Sequence, residues 1–246
     1  MTWMSGDGFR NILFNRDERN SRARERPPAL RRPAAGPAYL APTDPDSGGT
    51  WIAANEYGLV CAVLNHYAAA GGDTPPPGTC RWSRGNLPSG AMMFRDAAQV
   101  REWIAALGEL PRLRPFLLVA LGGVGDGVVA RWDGRVLETA TADEGSLPLT
   151  TSSWNPDEVL PARRRLFREI AGNPPALGEL LDFHSLHLDG RPAHGPAMIR
   201  SDAHTRSLTV VRIGRTDVSM RHQEFAPESA AFLPPSIVSL PRRVPS

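Results

Sequence analysis

With 246 residues, 41% of them hydrophobic and 22% charged, the chain can build one substantial core, and its evenly spread apolar content excludes a disordered protein. No stretch approaches the roughly 18–20 consecutive apolar residues of a membrane-spanning helix, and two cysteines, Cys61 and Cys80, cannot make a disulfide framework or a Cys-x-x-Cys site. All 28 basic residues are arginine, so Schiff-base lysine chemistry, a Ser-Lys dyad and a P-loop are excluded, and a net charge of +2 is weak for a nucleic-acid binder.

The leading residues, Met1 to Gly8, lack a basic region followed by an apolar run, so no signal peptide is expected and the chain reads as a soluble cytoplasmic protein. Apolar alternation and β-branched content predict strands near 9–15, 50–56 and 58–65, the last two joined by a turn at Asn55-Glu56-Tyr57-Gly58. Residues 19–49 are rich in Arg and Pro with little periodicity and read as an irregular surface excursion; a second such loop covers about 66–92. Asp96 can cap a helix running to about Leu107, with Val100, Trp103, Ile104 and Leu107 on one face. Phe116–Leu121 is an apolar run of strand length, buried on both faces. Segments 127–131 and 134–139 form a hairpin through Trp132-Asp133-Gly134, and 147–152 is a further strand. Asn155 before Pro156 marks the start of a helix to about Ile170, and a shorter helix covers 177–183. Two strands near 206–213 and 216–223 are joined by Gly214, and the Pro-rich end after Phe225 reads as a loosely packed strap. Strands toward both ends, helices between and no βαβ alternation indicate a single α+β domain over 1–246 with largely antiparallel sheets.

The densest polar cluster is Asn15-Arg16-Asp17-Glu18-Arg19, directly after Ile12-Leu13-Phe14. Strand alternation aims Asn15 and Asp17 to one side and Arg16 and Glu18 to the other, so one pair can enter a pocket while salt bridges fix the other. This cluster, with the Pro-rich Arg26-Pro27-Pro28-Ala29-Leu30 behind it, resembles the NRDE family, which includes the Transport and Golgi organisation 2 proteins. Gly48-Gly49-Thr50-Trp51-Ile52, Asn55-x-x-Gly58-Leu59 and Leu64-Asn65-His66-Tyr67 are similar to its second block, and Ser83-Arg84-Gly85 to its Ser-Arg-Gly element. Thr151-Ser152-Ser153 and the run from Met198 to Ser207 are similar to later blocks, in the same order along nearly the whole chain.

The resemblance implies the four-layer αββα sandwich of N-terminal-nucleophile hydrolases. In such enzymes an N-terminal Cys, Ser or Thr attacks an amide carbonyl with the free α-amino group as base. Family members typically begin Met-Cys, whereas this chain begins Met1-Thr2-Trp3, as if about three residues including the Cys were missing. Two explanations stay open: loss of the nucleophile, or a start assigned at an internal valine codon. Thr2 is a poor substitute, because an offset of three residues on a strand points it to the opposite face. By resemblance, Asp17 holds the nucleophile's amino group and thiol, Asn15 accompanies it, and Asn65 supplies polar substrate or oxyanion contacts. Arg16, His66, Thr151 and Ser152 are the substrate-binding candidates.

Three functions follow as expectations. The first is hydrolysis of an amide or related C–N bond in a small-molecule substrate, with no metal and no cofactor. The alternative is a binding or trafficking protein for haem or an acyl-type ligand, for which His184, His187, His194 and His204 offer imidazoles; their setting in a Gly/Pro-rich stretch reads as solvent-exposed loop. Nucleic-acid binding through the Arg-rich 19–32 segment is disfavoured by the interleaved Asp17, Glu18 and Glu25. Cys61 reads as a small core residue and Cys80 as a loop thiol. Composition does not define an oligomeric state.

Overall fold

A computed structural model describes residues 1–67, 83–123 and 125–243. Strands β1 (Thr2–Gly6) and β2 (Phe9–Arg19) form an antiparallel hairpin across Asp7-Gly8, with Gly8 at φ +75°, a conformation that glycine adopts without strain. Strand β2 then pairs along its length with β10 (Ala203–Ile213), which pairs with β11 (Asp217–Ala226). Short β12 (Ala231–Phe232) and the longer β13 (Ser236–Pro241) both add to β11 and complete the first sheet. The second sheet is a seven-stranded antiparallel meander. Its strands are β3 (Arg26–Arg31), β4 (Tyr39–Thr43), β5 (Ile52–Asn55), β6 (Val60–Asn65), β7 (Phe116–Leu121), β8 (Gly127–Trp132) and β9 (Leu137–Thr141).

Period-two alternation sorts the side chains into layers. Val60, Ala62 and Leu64 of β6 and Leu117, Val119 and Leu121 of β7 face the first sheet, where Ile12 and Phe14 of β2 and, paired beside them, Val211 and Ile213 of β10 complete the core between the sheets. Their neighbours Cys61, Phe116, Leu118 and Ala120 face the opposite way, against Leu87 of α1 (Asn86–Ala91) and Val100 and Ile104 of α2 (Ala97–Ala105). Helices α3 (Pro156–Ile170) and α4 (Leu177–Ser185) cover the outer face of the first sheet through Phe167, Leu180 and Phe183. The order is helix, sheet, sheet, helix, the αββα sandwich expected from the resemblance. Asp96 caps α2 by accepting from the Gln99 amide at 2.8 Å. Among the described residues, no helix is long and apolar enough to cross a membrane.

Four local expectations are corrected. The 19–49 stretch is not irregular throughout, because it holds β3 and β4. Proline in β3 is tolerated because the strand lies at the sheet edge, with a register shift between Arg26 and Ala29 around Pro27-Pro28. The 147–152 segment makes no ladder; Pro148 has no N–H, and pairing is confined to Leu149 and Met1. The tail is no loose strap, since β13 pairs with β11 from Asp217↔Pro241 to His222↔Ser236 and buries Leu240. The 66–92 loop contains α1. Cys80, Gly71-Gly72 and Pro75-Pro76-Pro77 lie outside the described residues.

Candidate active site

The two faces of β2 separate the polar tetrapeptide. On the side toward β5, Arg16 Nη1 donates to Glu25 Oε2 at 2.9 Å, with Glu18 and Asp44 also within 4 Å, and the guanidinium lies 4.6 Å from the centre of the Trp51 ring. The side chains of Arg16 and Glu25 are 6% and 2% exposed, so this is a desolvated pair whose members need each other. On the other side, Asn15 meets α4 and Asp17 meets α3. A bulge at Arg206 of β10 interrupts the ladder beside them, between Thr205↔Asp17 and Ser207↔Arg16, and lets Thr205 Oγ1 donate to Asp17 Oδ1 at 2.7 Å.

Strand β1 brings the leading end of the chain to this second face. The Met1 nitrogen donates to Leu149 O at 2.9 Å, and the Leu149 amide donates back to Met1 O at 3.0 Å. Burial, reinforced by the Arg163 charge and opposed by Asp17, pushes this amine down to about 5. Arg163 projects from α3 into the protein. Its Nε donates to His194 O at 3.3 Å, Nη1 to Thr150 Oγ1 at 3.2 Å, and Nη2 stands 3.7 Å from Asp17 Oδ2.

Thr2, His184 and Asn15 form a buried chain that fixes β1 to α4. Asn15 Nδ2 donates to the carbonyls of His184 and Pro196 at 2.9 and 2.8 Å, which leaves Oδ1 as an acceptor facing His184 Nδ1 at 2.9 Å. Burial, the nearby amine and Arg163 hold His184 well below its ordinary pKa, so the ring is neutral. Nδ1 therefore carries the hydrogen, and Nε2 accepts from Thr2 Oγ1 at 2.9 Å. Both ring nitrogens are engaged and the residue is 1% exposed, which corrects the solvent-exposed reading of this histidine. His194 is buried too.

A cleft of about 540 Å³ opens above Asp17. Asn15, Arg16, Asp17, Asn65, Thr151 and Ser152 all line it, so six of the seven residues singled out from sequence converge on one cavity. Asn65 ends β6 and donates from Nδ2 to the Tyr67 hydroxyl at 2.6 Å. His66 is not among the lining residues; its amide bonds Pro115 O at 3.1 Å, and its ring lies near Arg131 and Asp133. Arg84 and Thr205 stood out from sequence only as parts of family-like blocks, with no site role, and Arg163 did not stand out at all. Arg163 had a signal: at four-residue spacing between Val159 and Phe167 it sits on the apolar stripe of α3, where a charge must have a partner. Among the described residues, no three His, Cys, Asp or Glu side chains stand together as a metal site.

Solved structures share this architecture. Two variants of the conjugated bile acid hydrolase from Clostridium perfringens each superimpose with a TM-score of 0.51 at 12% identity, over 96% of this chain and 89% of theirs. Penicillin V acylase from Agrobacterium tumefaciens gives a TM-score of 0.48 at 14% identity, over 95% of this chain and 82% of its own. The fold is that of N-terminal-nucleophile hydrolases. No curated protein sequence matches the chain. Residues 2–129 match the family model described as Transport and Golgi organisation 2, and the chain belongs to that family.

Proposed function

We propose that the cleft is the active site of an N-terminal-nucleophile-type hydrolase of amide or related C–N bonds, whose nucleophilic Cys precedes Met1. The observation that carries this reading is the direction of β1, which aims the leading end at Asp17 along a partly vacant slot. Thr2 stands opposite Leu13, so the next residues upstream of Met1 would stand opposite Asn15 and Arg16, with Thr151 on their other edge. A cavity of about 60 Å³ occupies that place, lined by Met1, Asn15, Asp17, Leu149, Thr151 and Arg163 among others.

In this reading the Cys thiol attacks the substrate carbonyl and its proton passes to the free α-amino group. The burial and Arg163 charge that depress an amine at Met1 would keep this group unprotonated at neutral pH. The proton moves on to the departing amine, and water cleaves the resulting thioester to the acid. Asp17 accepts from the amino group and sets its direction. Asn65, on the facing wall, donates to the oxyanion. Thr151 and Ser152 contact the substrate, Arg16 braces the wall, and Asn15 acts by holding His184 and through it β1. The alternative of haem carriage gains nothing from the histidines, since His184 is fully bonded and no histidine lines the cleft among the described residues.

The test is the chain extended upstream by its own codons. We expect Met-Cys in frame, one iodoacetamide adduct mapped by peptide mass to that Cys, and hydrolysis of members of an N-acyl amide panel that alkylation abolishes. An upstream stop codon, or an alkylated Cys with no effect on any turnover, overturns the proposal.

A further inference from the structure

Four arginines on the cleft wall face carboxylates: Arg16 with Glu25, Arg22 with Asp44, Arg163 with Asp17 and Arg200 with Asp202. Arg84 differs. Among the described residues it has no carboxylate within ion-pair distance, and its side-chain hydrogen bond is from Nη1 to Pro115 O at 3.0 Å. Among the described residues its Nε–Nη2 edge has no hydrogen-bond partner, and that edge is the one that takes a carboxylate with two parallel bonds. The group is partly buried, and desolvation, only partly offset by Tyr67 and the Glu18 carboxylate, lowers its pKa from the ordinary arginine value, so a carboxylate placed against it would regain free energy.

The turn that presents Arg84 is fixed on every side. Ser83 Oγ accepts from the Gly85 amide at 3.1 Å, Asn86 Oδ1 accepts from the Ser83 amide at 2.9 Å, and Gly85 O accepts from Thr50 N at 2.9 Å. Gly49 packs against it so closely that an added Cβ would lie 2.7 Å from the Gly85 carbonyl carbon. A ligand therefore meets a guanidinium whose backbone is already ordered. Phe14, Trp51, Val63, Leu64 and Trp154 give the same cleft an apolar lining.

We propose that Arg84 anchors a free carboxylate of the cleft's ligand, so that the substrate is an amide joining an apolar acyl group to a carboxylate-bearing amine, as in an N-acyl amino acid. The amide part of this assignment rests on the hydrolase reading; the anchor does not. The test uses N-octanoylglycine and its neutral counterpart N-octanoylglycinamide, titrated against the chain by the fluorescence of the cleft tryptophans. The acid should bind roughly tenfold tighter, the worth of one charge-assisted contact, and the preference should shrink with added salt. Arg84→Gln should abolish the preference while leaving affinity for the glycinamide unchanged, and Arg84→Lys should restore part of it. Equal binding of the two probes, binding of neither, or a preference that survives Arg84→Gln overturns the anchor. Since binding needs no nucleophile, a lost preference leaves the hydrolase reading standing. An intact preference without turnover by the extended chain sinks that reading and keeps the anchor.

Discussion

Blocking the amine at Met1 tests whether the leading end is seated as described. Two preparations are compared, one with a free amine verified by mass and one α-acetylated, the acetyl group entering the small cavity beside Asp17 and Leu149. The amine's pKa is 8.0 when solvated and about 5 in the fold. A basic group with a depressed folded value is protonated first in the unfolded chain, so its contribution to stability is intact above pH 8 and lost as pH falls through 5. Integrating the two titrations gives almost nothing at pH 9, roughly 1 kcal/mol lost at pH 7 and roughly 4 kcal/mol at pH 5. The acetylated chain has no such titration. Urea unfolding followed by tryptophan fluorescence at pH 9, 7 and 5 should therefore show the acetylated chain gaining on the free one by those amounts. Titrating groups that do not interact with the amine cancel in the difference; Asp17 and His184, which do, contribute less than the burial of the amine itself, and any steric cost of the acetyl group is a constant offset. A difference that does not change with pH means that the amine is solvated, and the burial of the leading end is refuted.

His184 adds a second acid-sensitive element. Because burial lowers its folded pKa, its contribution is whole above the ordinary value of 6.5 and is lost as pH drops below it. His184→Gln should cost about 2–3 kcal/mol at pH 8 by breaking the bonds to Thr2 and Asn15, and should make the decline below pH 6.5 shallower in the same unfolding measurement. Arg16→Met should cost about 3 kcal/mol, because it leaves the buried Glu25 carboxylate with only the longer contacts to Arg206 and His222 at 4.0 and 3.9 Å, and adding Glu25→Gln should recover at least half of that loss in denaturant midpoint. Asp17→Asn in the extended chain should cost no more than about 1 kcal/mol, since the Arg163 contact is long and the carboxylate 29% exposed. Its turnover should nevertheless fall by roughly a hundredfold or more; an unchanged rate would remove Asp17 from the chemistry.

The parts of the fold that can be read from sequence are those where burial and local pattern coincide. Phe116–Leu121 is apolar at every position because both of its faces are covered, and the α2 and α3 boundaries follow from Asp96 and from Pro156 after Asn155. Asn155 illustrates the limit of that logic. It stands at the cap position in a left-handed conformation (φ 39°) and makes no side-chain cap bond to the helix backbone. Strands β3 and β13 were hidden because edge positions tolerate Pro, Arg and exposed side chains, so the pattern that reveals a central strand is absent there, and β4 was hidden because it is five residues long and contains Pro42. In the site, Asn15, Arg16 and Asp17 were legible because adjacent residues on one strand have a fixed geometry. Arg163 comes from a helix some 150 residues later and Thr205 from a bulge, and no local pattern joins them to Asp17. His184 was visible as a histidine, but the two partners that bury it belong to the opposite end of the chain.

The tetrapeptide on β2 does two separate jobs because a strand gives its odd and even residues different neighbours. Arg16 draws Glu18, Glu25 and Asp44 together, and Arg22 adds Asp44 and Asp46, so the stretch between β2 and β5 is tied down across the cleft mouth by a network of ion pairs. Asp17, one residue away, takes no part in that network and keeps a carboxylate oxygen toward Arg163 and the leading end. The two faces share only the backbone of β2, which β10 holds in register. Disturbing the Arg16 network should therefore loosen the rim while leaving the Asp17 geometry in place, and the reverse should hold for changes around Arg163. That independence lets the strand present the Asp17 carboxylate to the cleft without the Arg16 brace neutralising it.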